Sequence, residues 1–417
     1  MRELLFLCHR IPYPPDKGDK IRAFHLLEHL ARSFRIHLGC LADNRADLAF
    51  LPALRERTAS LACFPLDRGA ARLRSAATLR PNQPLSLGYF HDARLASWVA
   101  ETLARRPIRQ IFVFSSAMAP YVMDTPPLPR ILDMVDVDSE KFAAYAAAAR
   151  FPARLLWSRE ARTLLAFERR AALHFDRTLF VSPAEEGRFL ALAPDCAGRT
   201  GWVENGVDLE YFSPRHRFAP APGPAPGPAP GPHPSPSIVF TGAMDYRPNI
   251  DAAVWFADSV LPRLAERRPA PCFTIVGSDP APVVRALGRR PGIQVTGRVA
   301  DTRPYLAQAA AVVAPLRIGR GIQNKVLEAM AMGRPVVASS AAAEGIRGRP
   351  GRDLLVARDA ADCAQLVGDV LDGRHPELGA AARAAVLRHH DWRATLARLD
   401  TIVEGPQAAL APLGVGA

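Results

Sequence analysis

The stretch GRGIQNKVLEAMAMGRPVVASS, residues 319–340, joins a glycine-flanked basic loop to a short helix and then to an apolar strand. Gly319 and Gly321 let a ligand approach the backbone closely, because glycine has no side chain. The helix predicted from about Asn324 directs its free N–H groups into the loop, and a helix N-terminus binds anions. The stretch therefore predicts a diphosphate site. The residues that add fixed positive charge to it are Arg317, Arg320 and Lys325.

Glu328 follows Lys325 by one helical turn, so the two side chains share a face of the predicted helix. A carboxylate in this place can accept hydrogen bonds from vicinal hydroxyls such as those of a ribose, and a nucleotide would engage both residues. The alternative is a surface ion pair without a ligand. GRGIQN is not a dinucleotide fingerprint, because Asn324 replaces the third glycine, and it is not a Walker loop.

A second glycine loop, IPYPPDKGDKIRAF, follows the first predicted strand. Gly18 lies between Lys17 and Lys20, immediately before a predicted helix. These residues are expected to face the same anion from the first domain. A plain proline-rich turn is the alternative interpretation.

A third glycine loop, FTGAMDYRPNIDAA, opens the second half of the chain. Gly242 and Met244 lie at a strand-to-helix turn, where the backbone is expected to pass close beneath a ligand. Asn249 is expected to cap the next helix rather than to contact the ligand.

Carboxylates cluster at the end of an apolar run in DMVDVDSEK, residues 133–141. Asp136 and Asp138 are candidate acid/base groups or acceptors for sugar hydroxyls, since both follow a predicted strand. Capping of the next helix by Asp138 or Ser139 is the alternative. No histidine pair accompanies these residues, so the sequence does not predict a metal site.

Short apolar runs alternate with helical patterns in both halves of the chain, which is typical of doubly wound α/β sheets. One helical pattern places Ile21, Phe24, Leu27, Leu30 and Phe34 on a single face. We therefore predict two facing Rossmann-like domains with the ligand in the cleft between them. The predicted apolar strands are LLFLC, RIHLGCLA, IFVFSS, RILDMVDV and RTLFVS, then SIVFTGAM, PCFTIVGS, IQVTG, AVVAPL, RPVVASS and DLLVA.

The proline-rich segment APAPGPAPGPAPGPHPSPS, residues 219–237, cannot form a helix or an interior strand and marks a linker. The predicted divisions are a first Rossmann-like domain at 1–215, a linker at 216–237, a second Rossmann-like domain at 238–385, a helix returning to the first domain at 386–405, and a tail at 406–417.

A net charge of +12 and a pI near 9.9 favour an anionic partner, although many arginines could simply solvate the surface. Nucleic acid is disfavoured because the basic residues are dispersed and few aromatic residues lie among them. The six cysteines lie far apart without a CxxC pair, which predicts neither a zinc cluster nor a disulfide framework and favours the cytoplasm. No apolar run approaches the roughly 20 residues that span a bilayer, and MRELLFLC is interpreted as a strand, not a signal peptide.

The order of six motifs resembles the GT-B glycosyltransferases, and specifically the retaining nucleotide-sugar transferases of glycosyltransferase family 4. The motifs are VSPAEEGRF (181–189), ENGVDLEYFSP (204–214), FTGAMDYRPNIDA (240–252), VTGRVADTRPYLAQAAAVVAPL (295–316), KVLEAMAMGRPVVAS (325–339) and EGI (344–346). The opening LFLCHRIPYPPDKGDKIRAFHLL, with DMVDVDSEKFAAYA and GIQNKVLEAMA, is similar to the sugar transferases that accompany exosortase (PEP-CTERM) systems in bacterial exopolysaccharide assembly.

This resemblance implies that the N-terminal domain at 1–215 binds the acceptor and that the C-terminal domain at 238–385 binds the nucleotide-sugar donor. It also implies a role for each matching residue. Glu328 would bind the donor ribose, Lys325 would bind the diphosphate, and Gly18 would lie near the donor phosphates and the acceptor. The loop residues implied in diphosphate contact are Gly321, Ile322, Gln323 and Asn324. The family's motif expects a glutamate where this chain has Arg320, which leaves the sugar open, and an arginine where it has Gln323, so that Arg317 or Arg320 would supply that charge.

The implied reaction transfers a sugar from a nucleotide diphosphate to an acceptor hydroxyl with retention. It needs no metal, because fixed cations and a helix N-terminus stabilise the leaving group. The implied catalytic residues are Lys325 and Arg320, with Asp136 and Asp138 as candidates. A glycan or polyprenyl-linked acceptor is expected.

Two other functions stay open at this point: a nucleotide-sugar 2-epimerase of the same architecture, and a non-catalytic nucleotide-sugar binding protein. The basic segment ARLRSAATLRP, residues 71–81, could lie on the anionic inner face of the cytoplasmic membrane. A solvated basic face is the alternative for this segment.

Overall fold

The structure, a computed structural model, describes residues 1–77, 82–221, 235–319 and 321–405. Most of the predicted linker, the predicted tail at 406–417, the last residues of ARLRSAATLRP and Arg320 lie outside the described residues. The chain forms two compact units. The first contains residues 1–204 and the last helix from Leu396 onward, and the second contains residues 205–395.

The first unit is built on seven parallel strands in the order β3-β2-β1-β4-β5-β6-β7. Continuous apolar runs form its central strands because both faces of the sheet are covered by helices. The side chains of Leu4 to Leu7 in β1, for example, are fully buried. The strands are β1 (Arg2–Cys8), β2 (Phe34–Ala42), β3 (Ser60–Pro65), β4 (Ile108–Phe114), β5 (Arg130–Val135), β6 (Arg177–Phe180) and β7 (Thr200–Trp202).

Helices connect these strands in the right order for a doubly wound sheet. They are α1 (Gly18–Leu30), α2 (Leu51–Arg55), α3 (Arg68–Ala77), α4 (Leu85–Tyr89), α5 (Ala93–Arg105), α6 (Pro120–Met123), α7 (Asp138–Ala148), α8 (Ala153–His174) and α9 (Pro183–Leu192). The predicted buried face of α1 is partly wrong. Ile21 and Phe24 are only half-buried, whereas Arg22 and Ala23 are fully buried, and Phe34 already belongs to β2.

The second unit has six parallel strands in the order β10-β9-β8-β11-β12-β13. The strands are β8 (Ser237–Thr241), β9 (Cys272–Val276), β10 (Ile293–Val295), β11 (Ala309–Ala314), β12 (Val336–Ser339) and β13 (Leu355–Ala357). Its helices are α10 (Arg247–Trp255), α11 (Leu261–Leu264), α12 (Pro282–Leu287), α13 (Arg303–Gln308), α14 (Asn324–Ala331), α15 (Ser340–Ala343), α16 (Ala360–Leu371) and α17 (Leu378–His389). Helix α18 (Trp392–Glu404) begins in this unit and belongs to the first unit from Leu396 onward.

Every apolar run predicted as a strand forms one, so the predicted pair of doubly wound sheets is confirmed. The short strands β3 and β7 were not predicted. Residues 205–215, predicted as the end of the first domain, lie in the second unit. One contact that connects them to it is the hydrogen bond from Val207 N–H to His390 O at 2.8 Å. Among the described residues, no helix combines the length and apolar character needed to cross a membrane.

Candidate functional site

Two glycines bring the ends of β8 and β9 into close contact. Gly242 follows β8 with φ +152°, and Gly277 follows β9. A Cβ atom on Gly277 would lie 1.7 Å from the Gly242 carbonyl oxygen, so no side chain fits there. A Cβ atom on Gly242 would lie 2.7 Å from Asn249 Nδ2 and 3.0 Å from Lys325 Nζ. The carboxyl end of β8 thus lies directly beneath Lys325, a contact that the sequence did not predict.

Lys325 lies in the first turn of α14 and has a neutral partner. Its Nζ donates to Asn249 Oδ1 at 2.5 Å and lies 4.7 Å from the centroid of the Phe240 ring. The side chain is half-buried, and an amide offsets a charge less than a carboxylate does. Burial therefore lowers the pKa of Lys325 to about 7, although the nearby Glu328 carboxylate opposes this shift.

Asn249 does not cap α10, contrary to expectation. The helix begins at Arg247, and the residue before it, Tyr246, makes no side-chain cap. Asn249 Nδ2 instead donates to Ala243 O at 2.9 Å while its Oδ1 holds Lys325. The amide therefore ties the glycine loop after β8 to the first turn of α14.

Glu328 is half-buried one turn after Lys325. Burial raises its pKa to about 7, and the Lys325 ammonium opposes that shift. Both side chains are half-buried and Lys325 Nζ donates to Asn249, whereas the alternative interpretation was an exposed ion pair.

An aromatic–guanidinium pair also lies near Glu328. Burial raises the pKa of Tyr211, and the carboxylates of Asp301 and Glu328 contribute to this rise. Arg303 lies with its guanidinium carbon 3.7 Å from the centroid of the Tyr211 ring, and its Nε and Nη2 donate to Asp301 at 3.0 and 2.7 Å. The motifs EYFSP and VADTRP contain these residues, but nothing in either motif signals that they meet.

The loop before α14 has a backbone conformation that favours glycine at position 321. Gly321 has φ +66°, a left-handed conformation that favours glycine. Ile322 is buried, and Gln323 is in an extended conformation at the N-cap without a side-chain cap. Asn324 Oδ1 accepts a hydrogen bond from Asn205 Nδ2 at 3.1 Å. Asn205 was not predicted as a site residue, although the NGVD motif contains it.

A buried histidine holds the Asn205 segment in place. His390 Nδ1 donates to Asn205 O at 3.2 Å, and its Nε2 accepts the N–H of Arg347 at 2.9 Å. His390 is fully buried, and burial lowers its pKa to about 4. It is therefore neutral near pH 7 and acts as a bridge within the second unit.

The side chains of two predicted donor-binding residues, Arg317 and Met244, are engaged in other contacts. Arg317 pairs with Asp251 of α10, with its Nε 2.9 Å from Oδ2, beside a surface depression of about 420 Å³. Met244 is fully buried, and its main chain bonds to Ser278 and Ala281, so it supports the glycine loop from below. Arg320 lies outside the described residues.

In the first unit, Gly18 is exposed at the start of α1, as the sequence predicted. Lys20 is buried, and its Nζ lies 2.7 Å from Asp47 Oδ2 and 3.3 Å from Asp16 Oδ1. Carboxylates thus already neutralise one of the two lysines that were predicted to face an anion. Lys17 is half-buried at the N-cap of α1.

The predicted carboxylate cluster includes a half-buried acid, Asp136. Burial and the neighbouring Glu185 raise the pKa of Asp136 to about 7, and its Oδ1 has no hydrogen-bond partner among the described residues. Asp138 begins α7 and lies 3.4 Å from Lys141 Nζ. Asp133 is not part of an acid/base pair, because its carboxylate binds the fully buried Arg22 at 2.8 Å.

Acids from distant elements, not Asp138 or Ser139, cap α7. Glu168 accepts hydrogen bonds from Ser139 N and Oγ at 3.2 and 2.5 Å, and Glu185 accepts one from Val137 N at 3.0 Å. Burial raises the pKa of Glu168 to about 8. The local sequence could not show these caps, because the acids come from α8 and α9.

Residues 235–373 match the family described as Glycosyl transferases group 1. No curated protein sequence matches the chain. Sucrose-phosphate synthase from Thermosynechococcus elongatus superposes with TM-score 0.70 at 17% identity, over 97% of this chain and 98% of that one. HepE of Anabaena in complex with UDP-glucose gives TM-score 0.66 at 16% identity, over 97% and 100%.

WaaG, a glycosyltransferase involved in lipopolysaccharide biosynthesis, gives TM-score 0.61 at 15% identity, over 96% of this chain and 100% of that one. These proteins share the succession of two parallel-sheet α/β domains. The chain therefore has the fold of the GT-B glycosyltransferases, and its second unit carries the match to glycosyl transferases group 1.

Proposed function

We propose that the protein is a retaining glycosyltransferase of family 4 that transfers a sugar from a nucleoside-diphosphate sugar to an acceptor hydroxyl. The observation that carries this proposal is the half-buried Lys325, which is held by a neutral amide directly above Gly242 at the start of α14. A charge in this setting is stabilised by an anion that enters the site. A diphosphate is such an anion, and it is also the leaving group of the proposed reaction.

The proposed catalysis is mainly electrostatic. Negative charge develops on the diphosphate as the bond to the sugar breaks, and Lys325 with the N-terminal N–H groups of α14 would stabilise it. These groups are already in place, so little reorganisation accompanies the reaction. We propose that the transfer needs no metal ion for this step. Retention of configuration is proposed from the family resemblance.

Glu328 is proposed to bind the ribose. It lies one turn beyond Lys325, which suits a nucleotide whose diphosphate contacts the lysine. HepE, which shares the fold, is known in complex with UDP and with UDP-glucose, and this supports a nucleotide-sugar donor here. Gly321, Ile322, Gln323 and Asn324 would contribute backbone contacts at the same place.

Asp136 is proposed to exchange a proton with a sugar hydroxyl. Its pKa of about 7 suits proton transfer near neutral pH, whereas Asp138 is engaged with Lys141. The acceptor is proposed to be a glycan or polyprenyl-linked sugar of bacterial exopolysaccharide synthesis, in the setting of exosortase (PEP-CTERM) systems. The protein would then act in the cytoplasm, at the inner face of the membrane.

Calorimetry and thermal shift with UDP, GDP, ADP and their sugar conjugates test the proposal. We expect one nucleoside diphosphate to stabilise the wild type, and Lys325→Ala to abolish that stabilisation and lower turnover at least roughly tenfold. Arg290→Ala removes a surface arginine paired with Asp258 in the same unit. This control should leave both the stabilisation by nucleotide and the turnover unchanged. If none of these nucleotides stabilised the wild type, or if Lys325→Ala turned over normally, the proposal would fail.

A further inference from the structure

The connection between α7 and α8 exposes large apolar side chains to solvent. Phe151 is 79% exposed, Leu155 is 62% exposed and Leu156 is 39% exposed. We name residues 149–156 the α7–α8 tip, and all but the first of them are exposed. These three large apolar side chains lie within six residues of one another, and clustered exposed apolar residues mark interaction sites more often than isolated ones do.

The α7–α8 tip carries only positive charge. Residues 141–159 contain no aspartate or glutamate, and their basic residues are Lys141, Arg150, Arg154 and Arg159. Arg150 and Arg154 are exposed and flank Phe151 on either side. Long arginine side chains can hold their charge at a polar surface while neighbouring apolar groups are buried below it. An anionic surface with an apolar layer beneath it complements this arrangement.

The two helices behind the tip are fixed to each other. The ring of Phe142 in α7 stacks on that of Trp157 in α8, with centroids 5.6 Å apart, and Tyr145 contacts the same tryptophan at 6.0 Å. Further along, Ser139 Oγ donates to Glu168 at 2.5 Å. The tip is therefore presented by a packed helical hairpin, so little conformational entropy is lost when it binds.

The same region is attached to the basic helix α3. Glu160 of α8 accepts the N–H groups of Leu85 and Ser86 at 2.7 and 3.0 Å, and Ser75 Oγ of α3 donates to Leu85 O at 2.8 Å. Leu73 of α3 is 74% exposed. Helix α4 thus joins α8 to the basic segment for which a membrane surface and a solvated face were the two interpretations of the sequence.

We propose that the α7–α8 tip inserts into the headgroup layer of an anionic lipid bilayer. Phe151 and Leu155 enter the acyl boundary, while Arg150 and Arg154 bind lipid phosphates. The tip is a convex hairpin end with a mixed basic and apolar surface, which suits a bilayer better than a groove-binding peptide. The inference deepens the proposed function by naming how a lipid-linked acceptor is approached, but its test requires no sugar transfer.

Flotation with phosphatidylcholine vesicles, with and without phosphatidylglycerol, tests the proposal. We expect binding only to the mixed vesicles, weakening as salt is added. Phe151→Glu with Leu155→Glu should lower the partition coefficient by roughly tenfold or more, and each of Arg150→Gln and Arg154→Gln by about fivefold. Leu387→Glu changes a 50% exposed leucine in the other unit and should not alter binding. Phe151→Trp should shift its fluorescence to the blue when the mixed vesicles are added.

Three results would overturn the proposal: mixed-vesicle binding that survives Phe151→Glu with Leu155→Glu, equal binding to neutral vesicles, or self-association that these substitutions abolish. The last result would assign the tip to a second copy of the chain. Donor binding by calorimetry separates this proposal from the proposed function. The tip variants should bind nucleotide normally, and Lys325→Ala should bind vesicles normally.

Discussion

Lys20 and Lys325 occupy similar places in the two units, because each lies in the first turn of a helix that follows a glycine-containing loop. Their partners differ. The Lys20 ammonium lies 2.7 Å from the Asp47 carboxylate, whereas the Lys325 ammonium donates to the amide oxygen of Asn249 at 2.5 Å. Only 3% of Lys20 is exposed, whereas Lys325 is half-buried and accessible.

This difference separates a structural lysine from one suited to a ligand. A buried ammonium paired with a carboxylate has its charge offset in the folded protein, and the pair is part of the packing. An ammonium that is desolvated without such a partner loses basicity, as the lowered pKa of Lys325 shows. The folded protein therefore holds Lys325 in an unfavourable state that an incoming anion would relieve.

The largest effect is expected when the structural lysine is removed. Lys20→Met leaves the buried Asp47 carboxylate without its cation, and breaking a buried pair in this way costs about 3 kcal/mol of unfolding free energy. Urea denaturation checks this value. Lys17→Met alters the nearby half-buried lysine and should change stability by less than about 0.5 kcal/mol. Equal stability of Lys20→Met and wild type would show that the Lys20–Asp47 contact is not structural.

Both lysine loops were predictable from the sequence, but their different roles were not. The glycines, the basic residues and the helix starts are local features, and the apolar runs were sufficient for every strand of the two sheets except the edge strands β3 and β7. The partners Asp47 and Asn249 lie 27 and 76 residues away from their lysines. Gly277 was missed for a similar reason, since only the packing of β9 against β8 shows that its Cβ position is occupied by Gly242.

The next largest effect concerns Glu328, which should distinguish ribose binding from diphosphate binding. Glu328→Ala should raise the dissociation constant of the donor nucleotide roughly tenfold or more, because a hydrogen-bonded charged group is lost. It should leave the affinity for inorganic pyrophosphate within about threefold, since that ligand has no ribose. Lys325→Ala should weaken both ligands. Calorimetry with each ligand checks this, and an unchanged donor constant in Glu328→Ala would refute the ribose role.

A smaller effect on donor affinity is expected when the pH is raised above 7. The ligand-free Lys325 loses its proton near pH 7, whereas a bound diphosphate raises its pKa again. Donor binding should therefore take up a proton above pH 7, and affinity should fall about fivefold between about pH 7 and pH 8. Calorimetry in buffers of different ionisation enthalpy measures the proton uptake. A nucleotide sugar is the proper ligand here, because its diphosphate does not titrate in this range.

Lys325→Arg provides the control for this pH dependence. Arginine stays charged throughout the range, so its variant should bind donor with little pH dependence even if its affinity is lower. A wild-type affinity that stays constant from pH 7 to pH 8, or binding without proton uptake, would show that Lys325 is already charged in the ligand-free protein.

The smallest expected effect is a gain in stability, opposite in sign to the loss expected for Lys20→Met. The folded protein lowers the pKa of Lys325, so the unfolded chain binds this proton more strongly and the lysine reduces stability below its unfolded pKa. Lys325→Met keeps the shape and removes this cost, so the ligand-free variant should gain about 1 kcal/mol, or about 2–4 °C in melting temperature. Glu328 limits the gain, because it loses a favourable neighbour and becomes protonated more readily. With donor present the order should reverse, since only the wild type is stabilised by binding. A ligand-free variant that melts below the wild type would mean that Lys325, like Lys20, stabilises the fold.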